Sequence, residues 1–260
     1  MKYNGENMRH TSCLSFTENE KELNCSLDSL FSEWVARASN CILPDNYQAT
    51  DLVFEGFYPY YLSQPKKILF IGRESLGISG DNYIDTLYCH YKNHHIGNVH
   101  INSHVTHRRL LKIGYGLIKN ISSYSEIPDA DIIADDFATP DGTSFAFMNL
   151  SKFSNESESF LSDWNLINQF IMIFKEHEYS SKQIEIMDPD LIISMNLENK
   201  LDSLGKNDLI DCSETVAYRK LTIGEKMYNT LDTFHFSAYN KIDELDFYKP
   251  ILEMCKKHNL

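Results

Sequence analysis

Four short runs of apolar, β-leaning residues constrain this 260-residue chain more than any other feature. KKILFIG (66–72), TSFAFMNL (143–150), PDLIISMN (189–196) and the weaker NTLDTFH (229–235) each build an apolar stretch that breaks at a Gly, Asn or His. Runs without alternation suit strands of a parallel sheet, which are buried on both faces. Between the second and third lies SDWNLINQFIMIFKEHE (162–178), with the period and length of a helix. Strands alternating with helices predict an α/β fold: a doubly wound, mainly parallel four-stranded central sheet flanked by helices.

Ahead of the first strand, LDSLFSEWVARAS (27–39) sets Leu27, Leu30, Phe31, Trp34 and Val35 at amphipathic-helix spacing. Residues 1–26 are polar and aperiodic and read as an arm; 44–65 reads as a connecting loop. The expected organisation is an N-terminal arm and helix (1–60) packed on an α/β domain (61–260). No stretch approaches the roughly 18 apolar residues of a membrane span. The opening MKYNGENMRHTSC lacks the apolar core of a secretory signal. Six cysteines occur without a CxxC pair, which suits free thiols in a reducing compartment rather than a zinc or iron–sulfur site. A cytoplasmic protein with no membrane association is expected.

The net charge of −13 is unevenly distributed. Residues 61–120 carry 8 basic and 3 acidic groups, whereas 121–215 carry 5 basic and 19 acidic groups. Either a basic lobe faces a polyanion with an acidic back behind it, or the charge is solvated over loops.

Ligands of doubly wound sheets bind beyond the carboxyl ends of the parallel strands. The segments there are GRESLG, NLSKF and HFSAYN, which offer Glu74, Asn149 and His235. Taken singly each has a plain structural use: Glu74 at a helix N-terminus, Asn149 as a turn former, His235 in the core.

Together, in this order, the segments resemble the uracil-DNA glycosylase superfamily. Gly72-Arg73-Glu74-Ser75 is similar to the family's first motif, MNLSKF (148–153) to its middle strand ending in a base-reading Asn, DPDLIISMN (188–196) to its P-x-x-I-I-x-x-G strand, and His235-Phe236-Ser237 to its His-Pro-Ser motif. The likeness spans 66–240. Arg73 stands where the family has a neutral residue, Ser75 and Phe236 replace prolines, and Asn196 replaces a glycine.

The resemblance implies hydrolysis of an N-glycosidic bond. The sugar gains oxocarbenium character while the departing base gains negative charge. Glu74 suits the role of positioning water beside the sugar, and His235 that of donating to the base oxygen. Asn149 is the expected base reader, with one acceptor and two donors. Leu76 and Gly77, where uracil-specific relatives carry an aromatic, leave room for a 5-substituent. Base extrusion needs a wedge, for which Phe236 or Tyr239 are candidates beside Ser237, and phosphate contacts, for which Arg73, Lys152, Arg108, Arg109 and Lys112 are candidates.

Six histidines (His90, His94, His95, His100, His104, His107) fall within 18 residues. Pairs four apart suit metal ligation from one helix face, but no HExxH accompanies them, and a surface loop is the simpler reading. IGRESLGISGDN (71–82) has neither the G-K-[ST] of a phosphate loop nor a GxGxxG. The expectation is therefore a monomeric DNA glycosylase for uracil or a modified pyrimidine, in repair or defence against foreign DNA, requiring no cofactor or metal. The alternative is a nucleic-acid-binding protein on the same scaffold with the chemistry lost.

Overall fold

A sheet of seven strands organises the chain, in the order β1-β5-β2-β6-β9-β8-β7. The computed structural model describes residues 10, 12–44, 46–157 and 161–260, so residues 1–9 and 11 of the expected N-terminal arm lie outside the described residues. The strands are β1 (Gly56–Phe57), β2 (Ile68–Gly72), a small hairpin β3 (His95–Ile96) and β4 (Val99–His100), β5 (Ala146–Asn149), β6 (Leu191–Met195), β7 (Lys206–Cys212), β8 (Val216–Ile223) and β9 (Lys226–Thr233). The helices are α1 (Glu18–Ala38), α2 (Tyr83–Lys92), α3 (Val105–Ile118), α4 (Ala130–Asp136), α5 (Trp164–Phe174), α6 (Tyr179–Met187) and α7 (Lys249–His258).

The expected four-stranded, mainly parallel sheet is corrected by this topology. The four apolar runs do pair in parallel, β5 with β2, β2 with β6 and β6 with β9. Three further pairings are antiparallel: β1 with β5, β9 with β8 and β8 with β7. The sheet is therefore mixed. β8 and β9 are joined across a two-residue turn whose first residue, Gly224, has φ +56°, a hairpin geometry that matches strand twist. β8 alternates between buried and half-buried positions and includes Arg219 and Lys220, so it does not form the unbroken apolar run that marks a strand buried on both sides.

Two apolar layers cover the sheet. Ile68, Phe70, Phe147, Ile193 and Leu231 face one layer built from α2, α3, α4 and α7. Leu69, Ile71, Ala146, Met148 and Ile192 face the other, built from α1, α5 and α6. This alternation within a continuous apolar run is what burial on both faces demands.

Helix α1 begins at Glu18, nine residues before the expected helix, so residues 18–26 are not an arm. The Thr17 backbone N–H donates to Glu20 Oε2, and the same fully buried carboxylate accepts from the amides of Tyr60 and Leu62. This buried acid therefore ties the helix start to the turn before β2. No helix among the described residues is long and apolar enough to cross a membrane.

β5 lies on one side of β2 and β6 on the other. The strand order reverses there, and the crevice beyond the carboxyl ends of β2 and β6 is where such sheets bind ligands.

Candidate active site

Arg73 and Glu74 directly follow β2 at its carboxyl end. The two guanidinium ends of Arg73 donate to Ser162 Oγ at 3.2 Å and to the Asn196 carbonyl at 3.3 Å. Its plane lies 4.6 Å from the centre of the Trp164 ring. Arg73 thus bridges the ends of β2 and β6 and the start of α5. Glu74 Oε1 accepts from the Asp163 backbone N–H at 2.8 Å, while Oε2 is buried without a hydrogen bond among the described residues. Burial pushes the Glu74 carboxyl above its ordinary range, and the Asp163 amide and the Arg73 charge pull partly back. Asp163 caps α5, its Oδ1 accepting from the amides of Asn165 and Leu166 at 3.0 Å each. Glu74 is therefore a carboxylate near a helix N-terminus, and a side-chain hydrogen bond with Ser162 also pulls its pKa down.

His235 follows β9, the neighbour of β6. Its Nδ1 lies 2.7 Å from Ser237 Oγ and accepts from the Ser237 backbone N–H at 3.3 Å. An accepting Nδ1 places the neutral ring's proton on Nε2. Burial, seconded by the nearby Arg73 charge, lowers its pKa to about 4. The imidazole is a neutral N–H donor at physiological pH. One guanidinium therefore acts electrostatically on both Glu74 and His235.

Asn149 ends β5, in register with Gly72. A methyl group on Gly72 would overlap Asn149 Oδ1, so the glycine makes room for the carboxamide. The Asn149 backbone N–H and Nδ2 donate to the two oxygens of Glu55 at 2.6 and 2.7 Å. Lys152 Nζ pairs with Glu55 and also donates to the Asn149 carbonyl at 2.8 Å. Glu55 and Lys152 have side-chain exposures of 0% and 1%, and burial drives the carboxyl up and the ammonium down, each opposed by the other's charge. Asn149 itself is 2% exposed. The Arg73 charge acts on both Glu74 and His235, and Asn149 lies one strand beyond β2 within a closed ionic network.

The loops after β2 and β5 continue pairing past the strands. Leu150 and Ser151 donate to the carbonyls of Gly72 and Arg73, and Asn155 donates to that of Ser75. Gly77, at φ +63°, donates to the Asn155 carbonyl, and half-exposed Leu76 bridges Asn155. Leu76 and Gly77 thus sit against the 154–156 loop. Grooves of about 520 and 380 Å³ open beside Tyr47 and Asp163; neither is lined by Glu74, Asn149 or His235.

Several expected contacts are corrected. Phe236 is fully buried between Phe70 and Phe247, at 5.9 and 5.5 Å, and is no wedge. Tyr239, 84% exposed, is the candidate that remains on this loop, and Ser237 is exposed but engaged with His235. Lys152 is interior and cannot reach a phosphate. Arg109 is also interior: it pairs with Asp243 at 2.8 Å and donates to the carbonyls of Phe236, Ala238 and Lys241. Arg108 pairs with the same Asp243 at 2.9 Å, and Lys112, largely buried, faces Asp129 at 3.5 Å. All eight basic residues of 61–120 bond to a carbonyl or an acidic group, Lys66, Lys67, Lys92 and Lys119 included. Their excess is spent on holding the fold together. No sequence signal marked Glu55 or Asp163, because their importance comes from partners distant in the chain.

The histidine-rich segment forms the β3–β4 hairpin, where His95 opposes His100. His94 Nε2 lies 2.7 Å from Asp135, and His107 Nδ1 lies 2.9 Å from the Tyr91 hydroxyl. Among the described residues no group of three or more His, Cys, Asp or Glu is arranged to hold a metal ion. No family model, curated protein or solved structure matches this chain.

Proposed function

We propose that the chain hydrolyses the N-glycosidic bond of an extruded uracil or modified pyrimidine in DNA. The observation that carries this reading is that one guanidinium, Arg73, acts on both a partly buried carboxylate and a neutral imidazole whose proton is on Nε2. These are the two groups a dissociative glycosyl transfer needs. Glu74, in its ionised form, orients water and offsets positive charge on the sugar. His235 donates to the base oxygen as negative charge collects there; one such donor is worth about 10²–10³ in rate in a well-studied hydrolase. The motif resemblance at Gly72–Ser75, Met148–Phe153 and His235–Ser237 supports a nucleobase as leaving group. Exposed Tyr239, four residues beyond His235, supports a duplex substrate in which something must fill the vacated stack.

The second reading, a nucleic-acid-binding protein without catalysis, draws on the near-complete closure of Asn149. An abasic-site assay separates the two. Single- and double-stranded oligonucleotides carrying uracil, 5-hydroxymethylcytosine or glucosylated cytosine are incubated with wild type, Glu74→Gln and His235→Ala. Cleavage by wild type that falls at least about a hundredfold in each variant is expected. Gel retardation by a wild type that cleaves none of them would establish the binding reading instead.

A further inference from the structure

We infer that Glu55 is a positioning residue that locks the Asn149 carboxamide in one orientation, and so sets which pyrimidine edge the site reads. The inference rests on the glycosylase reading above for its substrate, and on the Glu55 network for its geometry. A carboxamide can rotate by half a turn about its terminal bond and exchange its oxygen with its nitrogen at almost no steric cost. Uracil and cytosine differ in the same way along the edge that such an amide reads. Uracil offers an acceptor at O4 and a donor at N3–H; cytosine offers a donor at its 4-amino group and an acceptor at N3. An amide free to turn would read both.

Here it is not free. Glu55 accepts from the Asn149 backbone N–H through one oxygen and from Nδ2 through the other. Lys152, paired with the same carboxylate, makes it a convergence point for three donors, the surroundings of an acceptor-only ionised group. Turning the amide would press Oδ1 against that carboxylate inside a dry site, where an unpaired contact of this kind is most costly. Nδ2 therefore stays toward Glu55 with its second hydrogen free of that bond, and Oδ1 stays over Gly72, which has no side chain to obstruct it. The donor–acceptor order that Asn149 shows a base is fixed. Lys152 acts one step further out, by holding Glu55 in its charged form.

The test pairs a readout of the lock with a readout of its consequence. In wild type, the Asn149 side-chain amide is expected as one NMR pair, slowly exchanging with solvent. In Glu55→Gln it becomes two pairs or exchanges rapidly, because glutamine meets either face of the carboxamide. Excision is then measured on matched oligonucleotides carrying uracil or cytosine. The wild-type preference for one of them is expected to fall about a hundredfold in Glu55→Gln, since a polar site made to match one edge discriminates strongly against the other. Should loss of the charge unfold the protein, Glu55→Gln/Lys152→Met removes both charges and is read in the same way. An unchanged preference in an active, folded variant overturns the inference while the glycosylase reading stands. A wild type that keeps a slowly exchanging amide but excises nothing overturns the glycosylase reading, and with it the base-reading role of the lock.

Discussion

The guanidinium of Arg109 holds the carbonyl oxygens of Phe236 and Ala238 at 2.6 and 3.0 Å, so the loop that carries His235 is fastened from beneath by α3. Its other nitrogens reach Asp243 and the Lys241 carbonyl, and its plane lies over Phe247 at 4.3 Å. A lysine offers a point charge and cannot reproduce this fork. Arg109→Lys is expected to destabilise the protein by about 3 kcal/mol, as broken buried ion-pair networks do. Urea unfolding measures this. Hydrogen exchange should show residues 236–241 losing protection. A phosphate-contacting arginine would behave otherwise, lowering DNA affinity and its salt dependence with stability unchanged.

The two aromatics of the same loop separate by burial. Phe236→Ala removes a fully buried ring packed between Phe70 and Phe247, and a loss of about 3–5 kcal/mol is expected. Tyr239→Ala, at a side chain 84% exposed, should change stability by less than about 0.5 kcal/mol. If Tyr239 fills the gap left by an extruded base, its loss lowers excision from duplex far more than from single-stranded DNA. Equal rates on both substrates would remove it from that role.

The parallel core was legible because Ile68–Gly72 and Leu191–Met195 are unbroken apolar runs, and burial on both faces permits little else. Val216–Ile223 was not, because Arg219 and Lys220 interrupt its apolar positions and an antiparallel extension needs no such run. The positions of Glu74 and His235 at strand ends followed from the order of the runs. The fate of the basic residues did not. Lys152 and Arg109 carry the same charge in the sequence as any surface cation. Each is turned inward by an acid that arrives through tertiary folding: Glu55, 97 residues before Lys152, and Asp243, 134 residues after Arg109. Counting charges along a segment cannot detect that pairing.

Gly72 tests how tightly the strand ends are packed. A Cβ there would overlap Asn149 Oδ1 and also meet the Phe147 ring at 3.3 Å. Gly72→Ala must displace the carboxamide, whose other side is held by Glu55. Overpacking of this kind costs about 1–3 kcal/mol. Thermal unfolding should register it as a lowered Tm, and any excision activity should fall by more than the change in folded fraction accounts for. A variant with wild-type activity would show that Asn149 does not act from this position.

The ionisation of His235 links stability to pH with a definite sign. Folded, its pKa is lowered to about 4, mainly by burial and then by the Arg73 charge; unfolded, it returns to about 6.5. Above 6.5 the ring is neutral in both states and contributes no pH dependence. Between 6.5 and 4 the unfolded chain takes up a proton that the folded protein refuses, so stability falls as pH drops through this window. Glu74 works in the opposite sense: its raised carboxyl keeps a proton in the folded state that the unfolded chain has released, so its contribution declines as pH rises just above the ordinary glutamate value. Comparing wild type with His235→Gln isolates the imidazole, because Glu74, the half-buried His104 and the buried His107 are common to both. Urea unfolding at pH 7.5 and 4.5 should show wild type losing on the order of 2 kcal/mol more than the variant. In the kinetics, the acid limb of kcat should lie above the usual carboxylate range, where Glu74 becomes ionised, and no second limb should occur near pH 6.5, because His235 remains neutral there. A limb at 6.5 that disappears in His235→Gln would mean that the imidazole ionises during turnover, and that its proton on Nε2 is not the fixed donor argued for it.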